Sequence, residues 1–328
     1  MKPLLFTAAI FSLANALSQP LHAQAPGVPI ERNGNRKQDN GILEKAKVLK
    51  DAGKLKLTLA ATKEQLQTPV PGAVAFPTAK QQRLSAREIA QAARDAQLQF
   101  GWYYLCKDCD HWHLNLAAAY AVASDAIATC HHCVEPNDKM RDGFLIAVDH
   151  KGEVLPVTAV LAKSQTLDGA ILRVEGGSFA ALPLSDDVSP GDAAYCFSAP
   201  LGQAGYFSQG IVNRFFWQGA PGKEGAQGQW KTLRVNVSTD WAPGSSGAAV
   251  LDESGNAIGH VSTIHPLGET PPAGKKGAKP TDRFGGATLI TLHAATPARG
   301  MIELAQPLRD FKPEEKPAEV EKPAAADK

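Results

Sequence analysis

Net charge is almost absent from this sequence: 34 lysines and arginines stand against 33 aspartates and glutamates, a balance of +1. Such a balance implies no broad attraction for a polyanion, so nucleic acid is not an expected partner. Long apolar runs are absent beyond the first residues, so no later segment is expected to span a bilayer. Cysteine is sparse, five in 328 residues, and four of the five fall between residues 106 and 133. What is present is ordinary for a globular chain. A hydrophobic content of 44% permits a normal core, and the length accommodates one large domain with extensions.

The first residues differ from the rest. Met1-Lys2 precedes a short apolar stretch from Leu4 to Leu17, and Leu21-His22-Ala23 offers a small residue before a cut. This pattern reads as a cleaved export signal over residues 1–23. The run is short for an uncleaved anchor. The mature chain is therefore expected in the periplasm or outside the cell, where disulfides are permitted, with no stable membrane insertion after cleavage. Residues 24–84 form a polar extension in which Gly41 to Leu59 reads as a helix or an extended pro-like segment. Ser85-Ala86-Arg87-Glu88 has the spacing of a capping box and opens a helix expected to run to about Ala96. Residues 265–283, rich in proline, glycine and lysine, are expected to be a mobile loop. Thr296 to Leu308 reads as a closing helix, and residues 310–328 as a disordered charged tail.

Three segments carry chemistry. Pro243-Gly244-Ser245-Ser246-Gly247 is a tight, glycine-flanked turn followed by the apolar run Ala248 to Leu251. Such a turn exposes a hydroxyl and aims successive N–H groups at one point, the geometry of an oxyanion hole. Ser246 is the expected nucleophile, and the N–H groups of Gly244 and Ser246 the expected donors. A serine hydroxyl needs a base, and the base needs a group that fixes its tautomer. His131 and His132 follow the apolar run Asp125 to Thr129, and either is a candidate base. Asp168 opens the apolar stretch Gly169 to Val174. Histidine, aspartate and serine then occur in the chain order of chymotrypsin-type proteases.

With these segments, the chain resembles the trypsin-like serine peptidases, most closely the protease domain of the HtrA/Deg branch. The resemblance covers roughly residues 85–305, and the domain is expected over 85–309. It implies an all-β fold of two six-stranded antiparallel barrels, chymotrypsin-like, with short helices at both ends of the domain and the active site between the barrels. The family's Thr-x-x-His pattern, laid on Thr129, assigns the base to His132 and puts His131 at a normally small position. Asp-x-Ala-x-Leu matches Asp168, Ala170 and Leu172. Ser262 aligns with the serine that supports the catalytic aspartate. Asp240 lies six residues before Ser246, the offset of an acidic pocket base that would select Arg or Lys. It equally resembles a Thr-Asp pair with another role. Ile264 stands where an open pocket has glycine and favours small or aliphatic residues. Asp240, Ser262 and Ile264 are thus the substrate-pocket candidates. A second glycine after the serine turn is replaced by Ala248, and no PDZ-like domain is read after residue 309.

The cysteines admit three readings: a zinc site, disulfides, or free thiols. Cys106-x-x-Cys109 and Cys130-x-x-Cys133 are separated by twenty residues, a spacing that suits a four-cysteine zinc site. An exported chain favours disulfides instead, with connectivity open. Cys196 reads as a buried free thiol. No other cofactor is expected. The function read from the sequence is a serine endopeptidase acting on proteins or peptides through an acyl-enzyme. A catalytically silent binding protein of the same fold and a zinc-stabilised structural module are the alternatives, and the oligomeric state is left open.

Overall fold

A computed structural model describes residues 36–218, 232–268 and 288–311. The expected export signal, most of the 265–283 loop and all but the start of the charged tail lie outside the described residues. Helices α1 (Arg36–Asp51), α2 (Leu59–Gln65) and α3 (Ala86–Ala96) come first. Strands β1 (Gln97–Cys106), β2 (Trp112–Ala123) and β3 (Ala126–Thr129) follow, then the one-turn helix α4 (His131–Val134). Next are β4 (Met140–Val148), β5 (Val154–Ser164), β6 (Gly169–Val174), β7 (Ala193–Ser198), β8 (Tyr206–Gln218) and β9 (Thr232–Val237). The chain closes with β10 (Ala249–Leu251), β11 (Ala257–Gly268), β12 (Thr288–Pro297) and α5 (Ala298–Arg309). No described helix is long and apolar enough to cross a membrane.

The strands close into two six-stranded antiparallel barrels, ordered β1-β2-β3-β6-β5-β4 and β10-β11-β12-β9-β8-β7. This is the expected chymotrypsin-like architecture. Closure removes the exposed edges of an open sheet. Residues that alternate along a strand point alternately in and out. Leu98, Phe100 and Trp102 of β1 accordingly meet Ala119, Ile127, Leu145, Val160 and Leu172 inside the first barrel. Ala194, Cys196, Val212, Val235, Val237, Val250 and Ile258 fill the second. A third cluster joins the two: Tyr120, Val122, Ala128 and Ile171 pack against Tyr195, Leu251, Ala257, Met301 and Leu308. Fully burying a side chain of this kind contributes about 1.5–3 kcal/mol, so this seam holds the barrels at a fixed separation.

The helices have local causes. The Ser85 hydroxyl accepts from the Glu88 N–H while the Glu88 carboxylate accepts from the Ser85 N–H, the capping box expected for α3. Helix α5 spans most of the expected closing helix and buries Met301, Ala305 and Leu308. The extension before Ser85 is partly helical and docked. Ile42 and Ala46 of α1 pack against Tyr103, Ile146 and Val148. Strands β4 and β5 pair only over Ile146–Val148. Where they part, the extension enters: Leu145 N–H donates to Leu57 O, Val160 N–H to Gln65 Oε1, and Val70 N–H to Val160 O. Residues 265–268, expected in a loop, belong instead to β11, where Pro266 and Leu267 pair with Thr291 and Ile290.

Candidate active site

His132 sits in α4, the single turn that follows the fully buried strand Ala126–Thr129. Asp168 is the last residue before β6 and takes φ 54°, a conformation tolerated by Asp better than by most side chains. His132 Nδ1 lies 3.0 Å from both Asp168 oxygens, and its own backbone N–H donates to Asp168 Oδ1 at 3.1 Å. The Ser262 hydroxyl donates to Asp168 Oδ2 at 2.7 Å. Burial pushes the Asp168 carboxyl up, but the hydrogen bonds from His132 and Ser262 and the nearby imidazoles outweigh it and hold it well below the usual carboxylate range. His132 is raised in turn, by Asp168 first and Cys133 second. The neighbouring His131 is only 5% exposed, points its Nδ1 toward Glu135 and is lowered by burial. Of the two histidines, only His132 engages Asp168.

The serine turn is built by its glycines. Gly244 has φ 101° and Gly247 φ 86°. A Cβ on Gly247 would lie 2.2 Å from Ala118 O and 2.3 Å from Thr129 Oγ1, so the turn is pressed directly onto the first barrel. Ala118 N–H donates to Ser246 O. Ser245 is buried and its hydroxyl donates to Ser198 Oγ at 3.1 Å, leaving Ser246 as the partly exposed hydroxyl. The Val261 carbonyl accepts both Gly247 N–H at 2.9 Å and the Cys130 thiol at 2.9 Å. One peptide of β11 therefore ties the serine turn to the entrance of α4. Among the described residues no hydrogen bond joins Ser246 Oγ to His132, the looser spacing common in free enzymes.

Beside Ser246 lies a cavity of about 430 Å³, bordered by Trp241, Pro243, Val261, Ser262, Ile264 and Pro266 among others. Two of the pocket candidates, Ser262 and Ile264, border it. Asp240 does not. It is exposed and accepts from the Tyr206 hydroxyl at 3.3 Å.

Sequence reasoning missed the support behind Asp168. His260 is fully buried and its Nε2 lies 2.9 Å from the Asp168 carbonyl. A carbonyl only accepts, so Nε2 carries the proton. Nδ1 has no partner, and burial pushes the imidazole down to about 4. Arg234 Nη1 and Thr296 Oγ1 both donate to Leu167 O, at 2.7 and 2.8 Å. Four second-barrel side chains thus hold a two-residue turn of the first. The one available signal was a buried-strand pattern that carried a histidine, with nothing to say what it faced.

The disulfide expectation is corrected: Cys106, Cys109, Cys130, Cys133 and Cys196 are free thiols. The first four do not gather at one point among the described residues. Cys106 and Cys109 meet His113, while Cys130 and Cys133 meet His132. The separation has a physical cause. Thr129 hydrogen-bonds to Ala118, six residues along β2 from Trp112, which is about 20 Å of extended strand. Cys196 is buried as expected, and burial raises its thiol to about 12.

Comparison with known proteins agrees with this architecture. Residues 117–259 match the family model of the trypsin-like peptidase domain. Among solved structures it is similar to the HtrA-type protease AlgW. With a tripeptide, that structure is 16% identical at a TM-score of 0.48, over 69% of this chain and 64% of that one. With a decapeptide the identity is 16% and the TM-score 0.49, over 69% and 67%. A variant of AlgW with a tripeptide gives 16% and 0.50, over 69% and 64%. The match therefore spans about two thirds of those chains. At this identity the likeness concerns the fold. No curated protein matches the chain.

Proposed function

We propose that the protein is an exported serine endopeptidase that cleaves protein or peptide substrates through an acyl-enzyme. The observation that carries this reading is the Asp168 carboxylate shared by His132 and Ser262, beside a glycine-flanked serine turn. In the proposed reaction Ser246 Oγ attacks the scissile carbonyl and its proton passes to His132 Nε2. Asp168 orients the imidazole and stabilises its charge. The N–H groups of Gly244 and Ser246 receive the oxyanion. Collapse breaks the C–N bond, and the leaving amine takes the proton from His132. Water then repeats the sequence on the acyl-serine and releases the acid.

The apolar border of the cavity, with Trp241, Val261 and Ile264, supports a preference for small or aliphatic side chains before the cut. Asp240, turned to Tyr206, gives no support to a basic preference. Export rests on the apolar start of the sequence, and periplasmic or secreted location is part of the proposal. The test is labelling by a fluorophosphonate and cleavage of unfolded casein. Ser246→Ala should abolish both, with kcat falling by about a millionfold, while the fold is kept. His131 at a normally small position and Ala248 in place of a glycine favour a second reading, a silent binding protein of this fold. Failure of the unaltered chain to label would select it.

A further inference from the structure

We propose that Cys106, Cys109 and His113 form a zinc site at the tip of the β1–β2 hairpin, separate from the serine turn and from the Cys130–Cys133 pair. The sulfur atoms of the two cysteines and a ring nitrogen of His113 lie within 4.8 Å of one another. A tetrahedral zinc with bonds of about 2.3 Å to sulfur and 2.0 Å to nitrogen separates its ligand atoms by about 3.5–3.8 Å. The group is therefore near the required size before any ion binds. Cys109 Sγ and His113 Nε2 stand 3.0 Å apart, so this pair opens by about half an ångström to accept the ion.

The hairpin explains the convergence. Tyr104 of β1 pairs directly with His113 of β2. Side chains two apart on a strand share a face, so Cys106 lies on the same side as Tyr104 and diagonally opposite His113. The Tyr104 ring tilts against the imidazole at 5.7 Å. Cys106 N–H donates to His111 O, closing the strand end. The Asp108 N–H then points at Cys106 Sγ at 3.4 Å, a donor placed to stabilise a thiolate. Asp110 turns the chain back with φ 53°, and its carboxylate is taken by Arg141 at 2.5 Å. Three protein ligands remain, with the fourth position open to water. Two thiolates and an imidazole suit zinc and not calcium or magnesium, which take oxygen.

The site bears on the fold around His132. Lys107 N–H donates to Lys139 O, and Cys106 pairs with Met140. The segment so held is the one that leaves α4. A metal at the tip would brace it without touching the reacting groups.

The experiment measures metal bound to the purified full chain, with cobalt substitution to report thiolate ligation by its charge-transfer absorption. One zinc per chain is expected. Cys109→Ser should remove it, His113→Gln should weaken it by about tenfold or more, and Cys133→Ser should leave it in place. Metal retained in Cys109→Ser, or lost in Cys133→Ser alone, overturns the assignment. So does a chain two hydrogens lighter with Cys106 and Cys109 joined. Because a variant at the hairpin tip can misfold, the unaltered chain supplies a second reading. Zinc should protect Cys106 and Cys109 from alkylation until a chelator is added, and equal alkylation with and without zinc rejects the site.

Discussion

His132 is held between an aspartate carboxylate and the Cys133 thiol, and both raise its affinity for a proton. A base that accepts the serine proton must start neutral. Its raised value therefore moves the acidic limb of kcat/KM above the ordinary histidine range near 6.5. Cys133→Ser removes the second of the two contributions and leaves Asp168 in place. The limb should shift to lower pH, read from log kcat/KM against pH with a peptide substrate. A limb that stays where it was would dissociate Cys133 from the base. His260 makes a different prediction, on stability. Buried and neutral, it is pushed down to about 4. An unfolded histidine gains its proton near 6.5, so below that pH the unfolded chain binds more protons than the folded one. Stability should fall as pH drops from 6.5 to 4, by roughly 3 kcal/mol from this group. His260→Gln keeps an N–H donor for Asp168 O and does not titrate, so its melting temperature should decline less across that window. Equal decline in both chains would assign the acid sensitivity elsewhere.

The serine turn makes its prediction as a unit. Gly247 has no room for a Cβ and a φ that L-residues avoid. Gly247→Ala must push the turn away from Ala118 and Thr129. A displacement of about 1 Å at a reacting group costs on the order of a hundredfold in rate. Fluorophosphonate labelling should slow at least that much, whereas Ser245→Ala, which removes one buried hydroxyl pair, should slow it little. Comparable rates in the two variants would mean that the turn is not held by this contact. Elements of this kind were legible in the sequence because their causes are local. The capping box at Ser85 and Glu88, the glycines at 244 and 247, and the apolar runs of β3, β6 and β10 each announce a backbone conformation. The pocket was half legible: Ile264 borders the cavity, but the orientation of Asp240 depends on Tyr206, which lies thirty-four residues away. The four cysteines show the same limit. Their spacing suits one site, yet the length of β2 carries the second pair away from the first. His260, Arg234 and Thr296 were not legible as supports of Asp168, because nothing in a strand pattern states which turn of another barrel it will face.

At the scale of the whole molecule, the extension before Ser85 is part of the first barrel's closure. Leu57 and Leu66 sit in that barrel's core, and Ile42, Ala46 and Leu55 cover Tyr103 and Ile146 on its outer side. Leu57 and Gln65 supply hydrogen-bond acceptors for β4 and β5 where those strands no longer pair with each other. No described residue of the extension borders the cavity beside Ser246. The described part of the extension, residues 36–84, is thus placed to stabilise the barrel and not to cover the cavity. At about 1.5–3 kcal/mol for each large apolar side chain buried, its loss is comparable to the whole stability of a domain, about 5–15 kcal/mol. Removing residues up to 84 should therefore lower the melting temperature by more than about 10 °C or prevent folding, with no gain in kcat/KM in whatever folded protein is recovered. A mature chain and a trimmed chain, compared by thermal melting and by turnover of the same peptide, decide the matter. A trimmed chain that melts at the same temperature and turns over faster would make the extension an inhibitory segment, and its contacts with β4 and β5 incidental.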